Sequence, residues 1–351
     1  MKKKGLSRRN LFKYAGVGGV TAVVASCEKK PEKLIPMLVP PTDYEYTPHT
    51  AFRYMTTCRE CDSGCGLMMT TREHRAQKAE GNPNHPINKG ALCARGQASL
   101  QSLYNPNRHA HPLLNGQKVS WQVGINKFIE TLKNSSGDVV FLGKNSTGSE
   151  GSFIDEWLQI VGGGSRINFE MISQDSQIEA NNIAFETEDI ADYAFEKAGI
   201  VLNFGTDFLG NWGSSVENSR RFTEMHAFKD GSKGQLVHIS PQVSLSGAKA
   251  DRWIKINPGT EGLVALAIAN VLRHKKRNFP FLEDYLESFT PEKVFEATGV
   301  PVNTINKLVS DIFDNGPLLA LAGGNLSSTD QCIETLLAVN ILNSISGALG
   351  D

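Results

Sequence analysis

Three of the chain's six cysteines fall within eight residues, in "CRECDSGC" (58–65), and a fourth follows in "NKGALCARGQ". The pattern is Cys58-x2-Cys61-x3-Cys65-x27-Cys93. Thiols two or three residues apart are poorly placed to bridge one another without strain, although an exported chain is one in which two disulfides would persist. Structural zinc usually takes two close pairs, and here the second pair is missing. A cubane iron–sulfur cluster takes three thiolates from one tight loop and a fourth from elsewhere, which this spacing supplies. Gly64 and Gly66 flank Cys65 and let the backbone wrap around a compact inorganic core. The spacing therefore points to one [4Fe-4S] cluster on Cys58, Cys61, Cys65 and Cys93, with two disulfides or a zinc ion as competing readings. Cys332, in "STDQCIETLLAVNIL", reads as a small buried hydrophobe on a helix. No Cys-x-x-Cys-His occurs, which argues against covalent haem.

The chain's start predicts where these thiols work. Lys2, Lys3, Lys4, Arg8 and Arg9 precede an apolar run from Tyr14 to Ala25, the layout of an export signal. "SRRNLFK" resembles the twin-arginine motif, with Leu11 and Phe12 in the reverse of the usual order. That route is understood to carry folded, cofactor-loaded proteins, which suits a cluster assembled in a reducing cytoplasm. "VASC" resembles a lipobox, so residues 1–27 read as a twin-arginine and lipoprotein signal with Cys27 as the lipidated residue; the competing reading is a plain cleavage site. Residues 28–50 carry five prolines and no helical period, and read as an extended tether. The chain is thereby expected at the periplasmic face of a membrane. A net charge of −1 recommends neither nucleic acid nor an anionic bilayer as main partner. After the N-terminus no apolar run approaches the ~20 residues that span a bilayer, so attachment falls to an anchor or a partner subunit.

The elements that must position the thiols come next. From residue 121 two patterns alternate. "WQVGINKFIETLK" puts Trp121, Ile125, Phe128, Ile129 and Leu132 on one helical face. "DVVFLG", "GIVLNFGTD", "GQLVHISP", "DRWIKINPG" and "PLLALAGGNLS" read as strands; "SFIDEWLQIVGGG", "TEGLVALAIANVLR" (with Thr260 as its cap) and the Cys332 segment read as helices. The alternation implies α/β units with a mostly parallel sheet. "DVVFLGKNSTG" and "PLLALAGGNLS" look alike, and are expected to be neighbours in one sheet. His109 and His111, beside Pro112, read as an exposed turn without a role.

"TTCRECDSGCGLMM…AEGNPNHPINKGALCARGQASLQSLYNPNR" resembles the N-terminal domain of the molybdopterin oxidoreductases, the dimethyl-sulfoxide-reductase superfamily. The "EGNPNHPINKG" stretch and Arg95, two residues past Cys93, belong to that pattern. Within the superfamily, the tether and the twin-arginine start are most like the molybdopterin-like iron–sulfur subunits of alternative complex III and the quinone reductase complex. The resemblance implies a small iron–sulfur domain at 51–111, followed by two interleaved Rossmann-like α/β domains. One is split between 112–166 and 315–351; the other is inserted at 167–314. The family's C-terminal part is expected to be missing, as a fragment or as a separate subunit. It also implies a molybdenum bis(pyranopterin guanine dinucleotide) held by strand-end loops, with Gly205, Asp207, Ser240, Thr260 and Glu261 as candidate contacts. Three positions depart from the pattern: the family more often has Asn at 207, Arg where Gln242 stands, and Asp at 261. The region that supplies the metal ligand reads "INFEMISQDSQIEANN", where Ser173 and Asp175 are the possible ligands and no cysteine occurs.

Three functions compete. The first is an exported subunit that relays electrons through one cluster to iron–sulfur, cytochrome or quinone-binding partners, with Arg95 as an electron-transfer residue. The second is the N-terminal half of a catalytic molybdenum reductase or dehydrogenase. The third is a scaffold with a cluster that does not cycle.

Overall fold

The computed structural model describes residues 50–350, apart from positions 147, 172, 230, 277 and 278. The expectations for residues 1–49, Cys27 among them, fall outside the described residues. An antiparallel sheet comes first, in the order β1 (Phe52–Thr57), β2 (Gly66–Arg72), β3 (Arg75–Gly81). Thr57 pairs with Gly66, so the three-cysteine segment is the whole of the β1–β2 loop. Glu73 and His74, both at positive φ, make the two-residue turn into β3. The fourth cysteine stands directly before a short helix, α1 (Ala94–Gln97), which α2 (Ser99–Leu103) follows.

After a small hairpin, β4 (Leu113–Leu114) with β5 (Gln117–Lys118), the expected alternation begins. Helix α3 (Trp121–Asn134) leads to β6 (Val139–Gly143), α4 (Glu150–Ile160) and β7 (Gly164–Asn168), and β6 and β7 pair in parallel. Then come α5 (Asp175–Phe185), β8 (Ile200–Phe204), α6 (Ser215–His226), β9 (Gln235–Ser240), α7 (Leu245–Ala248) and β10 (Arg252–Lys255). Helices α8 (Glu261–Arg273), α9 (Glu283–Leu286), α10 (Pro291–Thr298) and α11 (Val302–Asn315) precede β11 (Leu318–Ala322) and α12 (Cys332–Ser346). The second sheet has the order β10-β9-β8-β11, all parallel. Its core joins Ile200, Leu202 and Phe204 of β8 to Ile268 and Leu272 of α8 and Val339 and Leu342 of α12, with Cys332 buried among them as expected.

Two expectations are corrected, the first and the third, and the second holds without the burial an apolar face usually brings. First, β6 and β11 are not neighbours. β11 pairs with β8, from Leu318 opposite Ile200 to Ala322 opposite Phe204, so residues 315–351 join the sheet of the supposed insertion rather than that of 112–166. Burial gives the reason. Every residue of β8 is buried, and so are four of the five in β11, as strands covered on both faces require. β6 instead alternates half-buried and exposed residues. Second, the apolar face of α3 is where the period put it, yet none of the helix's residues is buried. Phe128 stacks on Trp157 of α4 at 6.4 Å, and Trp121 remains 67 % exposed. Third, Thr260 precedes α8 without a side-chain cap; its hydroxyl donates to Asn257 O at 2.7 Å instead. His109 and His111 are exposed, as the sequence predicts.

Candidate metal centre and strand-end loops

The β1–β2 loop closes on itself where the Cys58 N–H donates to Cys65 O at 2.8 Å. Cys58 and Cys65 are buried with Leu67 and Ala79, and Leu92, Leu100 and Val216 pack against them. Cys61 and Cys93 are half-buried. All four are free thiols, and among the described residues no disulfide forms. Burial raises the Cys65 thiol to about 11, and the charges of Cys61, Cys58 and Cys93 push it further in the same direction. Burial also raises Cys58, with Cys61 and Cys93 adding to it. Four sulfurs that repel one another as thiolates are gathered in one place, which is the cost a cationic iron core would offset. Among the described residues no group of three or more Cys, His, Asp or Glu side chains is spaced for a single metal ion. A cubane spreads its thiolates around four irons, and this donor set fits one.

The loop is also fixed from outside. Arg59 pairs with Glu150 at the start of α4, and Lys144 donates to Arg59 O. The Ser63 hydroxyl donates to Gly213 O at 3.4 Å, just before α6. Behind it, burial raises the Glu170 carboxyl to about 7, and the Asp62 carboxyl acts in the same direction. Arg95 is exposed on α1.

The five strand-end candidates divide. Gly205 follows β8 at φ +77°, and a Cβ there would stand 3.9 Å from both Leu326 Cγ and Ser240 Cβ, so the ends of β8 and β9 meet at this glycine. The Asp207 carboxylate accepts from Ser246 N at 2.9 Å and Ser246 Oγ at 2.8 Å, holding the first turn of α7. The Ser240 hydroxyl is buried and donates to Gln242 O. Thr260 donates to Asn257 O. Glu261 is buried with Oε2 lacking a hydrogen-bond partner, and burial raises its carboxyl above the usual range. Thr260 and Glu261 stand at the start of α8, where a Cβ on the next residue, Gly262, would meet Thr335 at 3.1 Å. Of the five, Glu261 keeps a carboxylate oxygen without a hydrogen-bond partner, whereas Asp207 Oδ1 and the hydroxyls of Ser240 and Thr260 bond within the chain. Ser173 Oγ accepts from the Asp175 backbone N–H at 3.0 Å in the turn before α5. Sequence reasoning missed Ser246, whose role is legible only as Asp207's partner. It also missed His238, fully buried on β9, which burial holds below its usual pKa.

Residues 53–105 match the family described as the molybdopterin oxidoreductase Fe4S4 domain, a span that holds all four cysteines. Over 98 % of its length the chain is 26 % identical to the menaquinone reductase, molybdopterin-binding-like subunit of Nitratidesulfovibrio vulgaris, of which it covers 51 %. It is 23 % identical to the major subunit of the nitrate-inducible formate dehydrogenase of Escherichia coli, over 81 % of this chain and 30 % of that protein. The chain thus spans about half or less of the length of these relatives. In fold it is similar to the acetylene hydratase from Pelobacter acetylenicus, with a TM-score of 0.63, 16 % identity, and coverage of 84 % of this chain and 44 % of that one.

Proposed function

Because the chain belongs to the molybdopterin oxidoreductase superfamily, we propose that it is the iron–sulfur electron-transfer subunit of a membrane-associated respiratory complex. Cys58, Cys61, Cys65 and Cys93 are its cluster ligands. The observation that carries this is the convergence of four free thiols, two of them buried, on one loop and one helix start. A bound [4Fe-4S] cluster supplies one-electron transfer. The chain's own residues hold it: the β1–β2 loop presents three thiols, the start of α1 presents the fourth, and the Leu67–Ala79 core keeps water from Cys58 and Cys65. Subunits carrying iron–sulfur, cytochrome or quinone sites are its partners in this reading; the name of the Nitratidesulfovibrio relative, a menaquinone reductase subunit, supports it.

A second reading, a catalytic molybdenum enzyme, is favoured by Gly205 and by the unpartnered carboxylate oxygen of Glu261. Against it stand Asp207, Ser240 and Thr260, each bonded inward. The iron-only relay is therefore preferred. Anaerobic reconstitution with iron and sulfide should load about four irons per chain and no stoichiometric molybdenum. A protein that takes zinc and no iron would refute the cluster, and one purified with molybdenum would favour the enzyme. A cluster that does not titrate at any physiological potential would leave the scaffold. Export and anchoring complete the proposal: the "VASC" sequence supports a lipidated Cys27 at the mature N-terminus. Mass spectrometry of membrane-fraction protein should find it, and an intact Met1 would overturn this part.

A further inference from the structure

Between the third and fourth cysteines runs "NPNHPINKGALC", and one side chain in it makes contacts that the ligand reading does not use. Asn88 is 1 % exposed. Its Oδ1 accepts the Gly66 N–H at 2.9 Å, while its Nδ2 donates to Gly66 O at 3.0 Å and to Ala91 O at 2.6 Å. Gly66 is the residue after Cys65, and Ala91 stands two before Cys93. One amide therefore grips both backbone groups at the end of the three-thiol loop and, with its remaining N–H, the approach to the fourth thiol. The backbone beside it is shaped for this. Ala91 N–H donates to Asn88 O at 2.7 Å, and Lys89 and Gly90 both stand at positive φ, which folds residues 88–91 back onto Asn88. Only glycine fits at 66 as the chain stands, since a Cβ there would be 2.6 Å from the His85 side chain. Asn343 grips Ala320, in the middle of β11, in the same two-bond way.

We propose that Asn88 is a positioning residue that sets Cys93 against the 58–65 loop, and so decides whether the centre keeps its fourth iron. The inference rests on the reading of the four cysteines as cluster ligands. Without the Nδ2 bonds Ala91 O loses its side-chain donor and Gly66 O keeps only the Asn82 N–H, at 2.9 Å, so the 88–91 turn loosens and Cys93 is no longer held against the loop. That iron is then lost on oxidation: [4Fe-4S]2+ gives [3Fe-4S]+ and Fe2+, and one electron passes to an added oxidant such as ferricyanide.

The test uses the full chain reconstituted without oxygen. Asn88→Asp keeps the size and the acceptor toward Gly66 N but removes both donations. It should lower iron from about four toward about three per chain, show the EPR signal of an oxidised three-iron cluster, and lose its fourth iron to ferricyanide about tenfold faster. Asn82→Asp is the control. Among the described residues the Asn82 side chain accepts from Asn84 N–H, at 3.0 Å, and Asp preserves that bond; iron and EPR should match the unaltered protein. Cys93→Ser supplies the cycle. If Asn88 acts through Cys93, the double variant should lose its fourth iron no faster than Cys93→Ser alone. Additive losses, or an Asn88→Asp protein that keeps four irons, would overturn the proposal. So would an Asn88→Asp apoprotein that has lost its far-UV circular dichroism, because the residue would then serve folding. Failure of the unaltered protein to bind iron would instead refute the cluster reading itself, which keeps the two failures distinct.

Discussion

Around Cys58–Cys93 the backbone and the Asn88 amide make the main hydrogen bonds, and the four thiols are free and close enough to raise one another's pKa. At the ends of β8 and β9 the reverse holds. Asp207 and Ser240, the side chains expected to meet a ligand, hold α7 and the 240–242 turn in place. Both regions follow a strand, both carry glycines, and both are picked out by the same family pattern. They differ in where the polar atoms are directed. An oxygen that already bonds within the chain, as Asp207 Oδ1 does, is less free for a ligand, whereas a buried thiol beside three others is stable only when neutral or bound to a metal.

Paired substitutions would sharpen that contrast, and the largest effects come first. Cys58→Ser should abolish four-iron reconstitution while leaving the parallel sheet intact, since Cys58 lies outside the main core. Asp207→Ala should do the opposite: iron content unchanged, but stability lowered by about 1–3 kcal/mol, because the Ser246 N–H and hydroxyl lose a carboxylate acceptor. Urea unfolding of the apoprotein measures the second effect. A variant as stable as the parent within ~0.5 kcal/mol, yet altered in guanine-nucleotide binding, would put Asp207 back among the ligand contacts.

Local pattern made much of this legible. The cysteine spacing located the loop and the helix start, and every strand expected from residue 138 onward forms where alternation and flanking glycine put it. What stayed hidden was decided by tertiary partners. "DVVFLG" and "PLLALA" look alike as strings, but only the second is buried deeply enough to stand beside β8. The apolar stripe of α3 fixes which residues share a face, not whether anything covers them; among the described residues Trp121 and Phe128 stay exposed. Asn88 sat inside a quoted motif without a role, because a side chain that bonds backbone 22 residues away leaves no periodic trace. Asp207 was assigned outward for the mirror reason: its partner, Ser246, is 39 residues on.

The smallest effect tests the electron-transfer role given to Arg95. A cation beside a cluster stabilises the reduced state, so Arg95→Gln should lower the potential and Arg95→Lys should leave it nearly unchanged. The guanidinium is exposed on α1, and solvent sets the scale. Unit charges ~4 Å apart in water interact by about 1 kcal/mol, and by less when farther apart. Since ~1.4 kcal/mol corresponds to ~59 mV for a one-electron couple, the shift should stay below about 40 mV. It should also shrink as salt rises, because exposed charges are screened over ~8–10 Å at ordinary ionic strength. Protein-film voltammetry at low and high salt reads both quantities. A salt-independent drop well above 40 mV would mean that Arg95 is desolvated in the assembled complex, against a partner or a further part of the polypeptide. No shift within ~10 mV at low salt would remove Arg95 from the electron path and leave the thiols, Asn88 and the loop backbone as the residues that shape the centre.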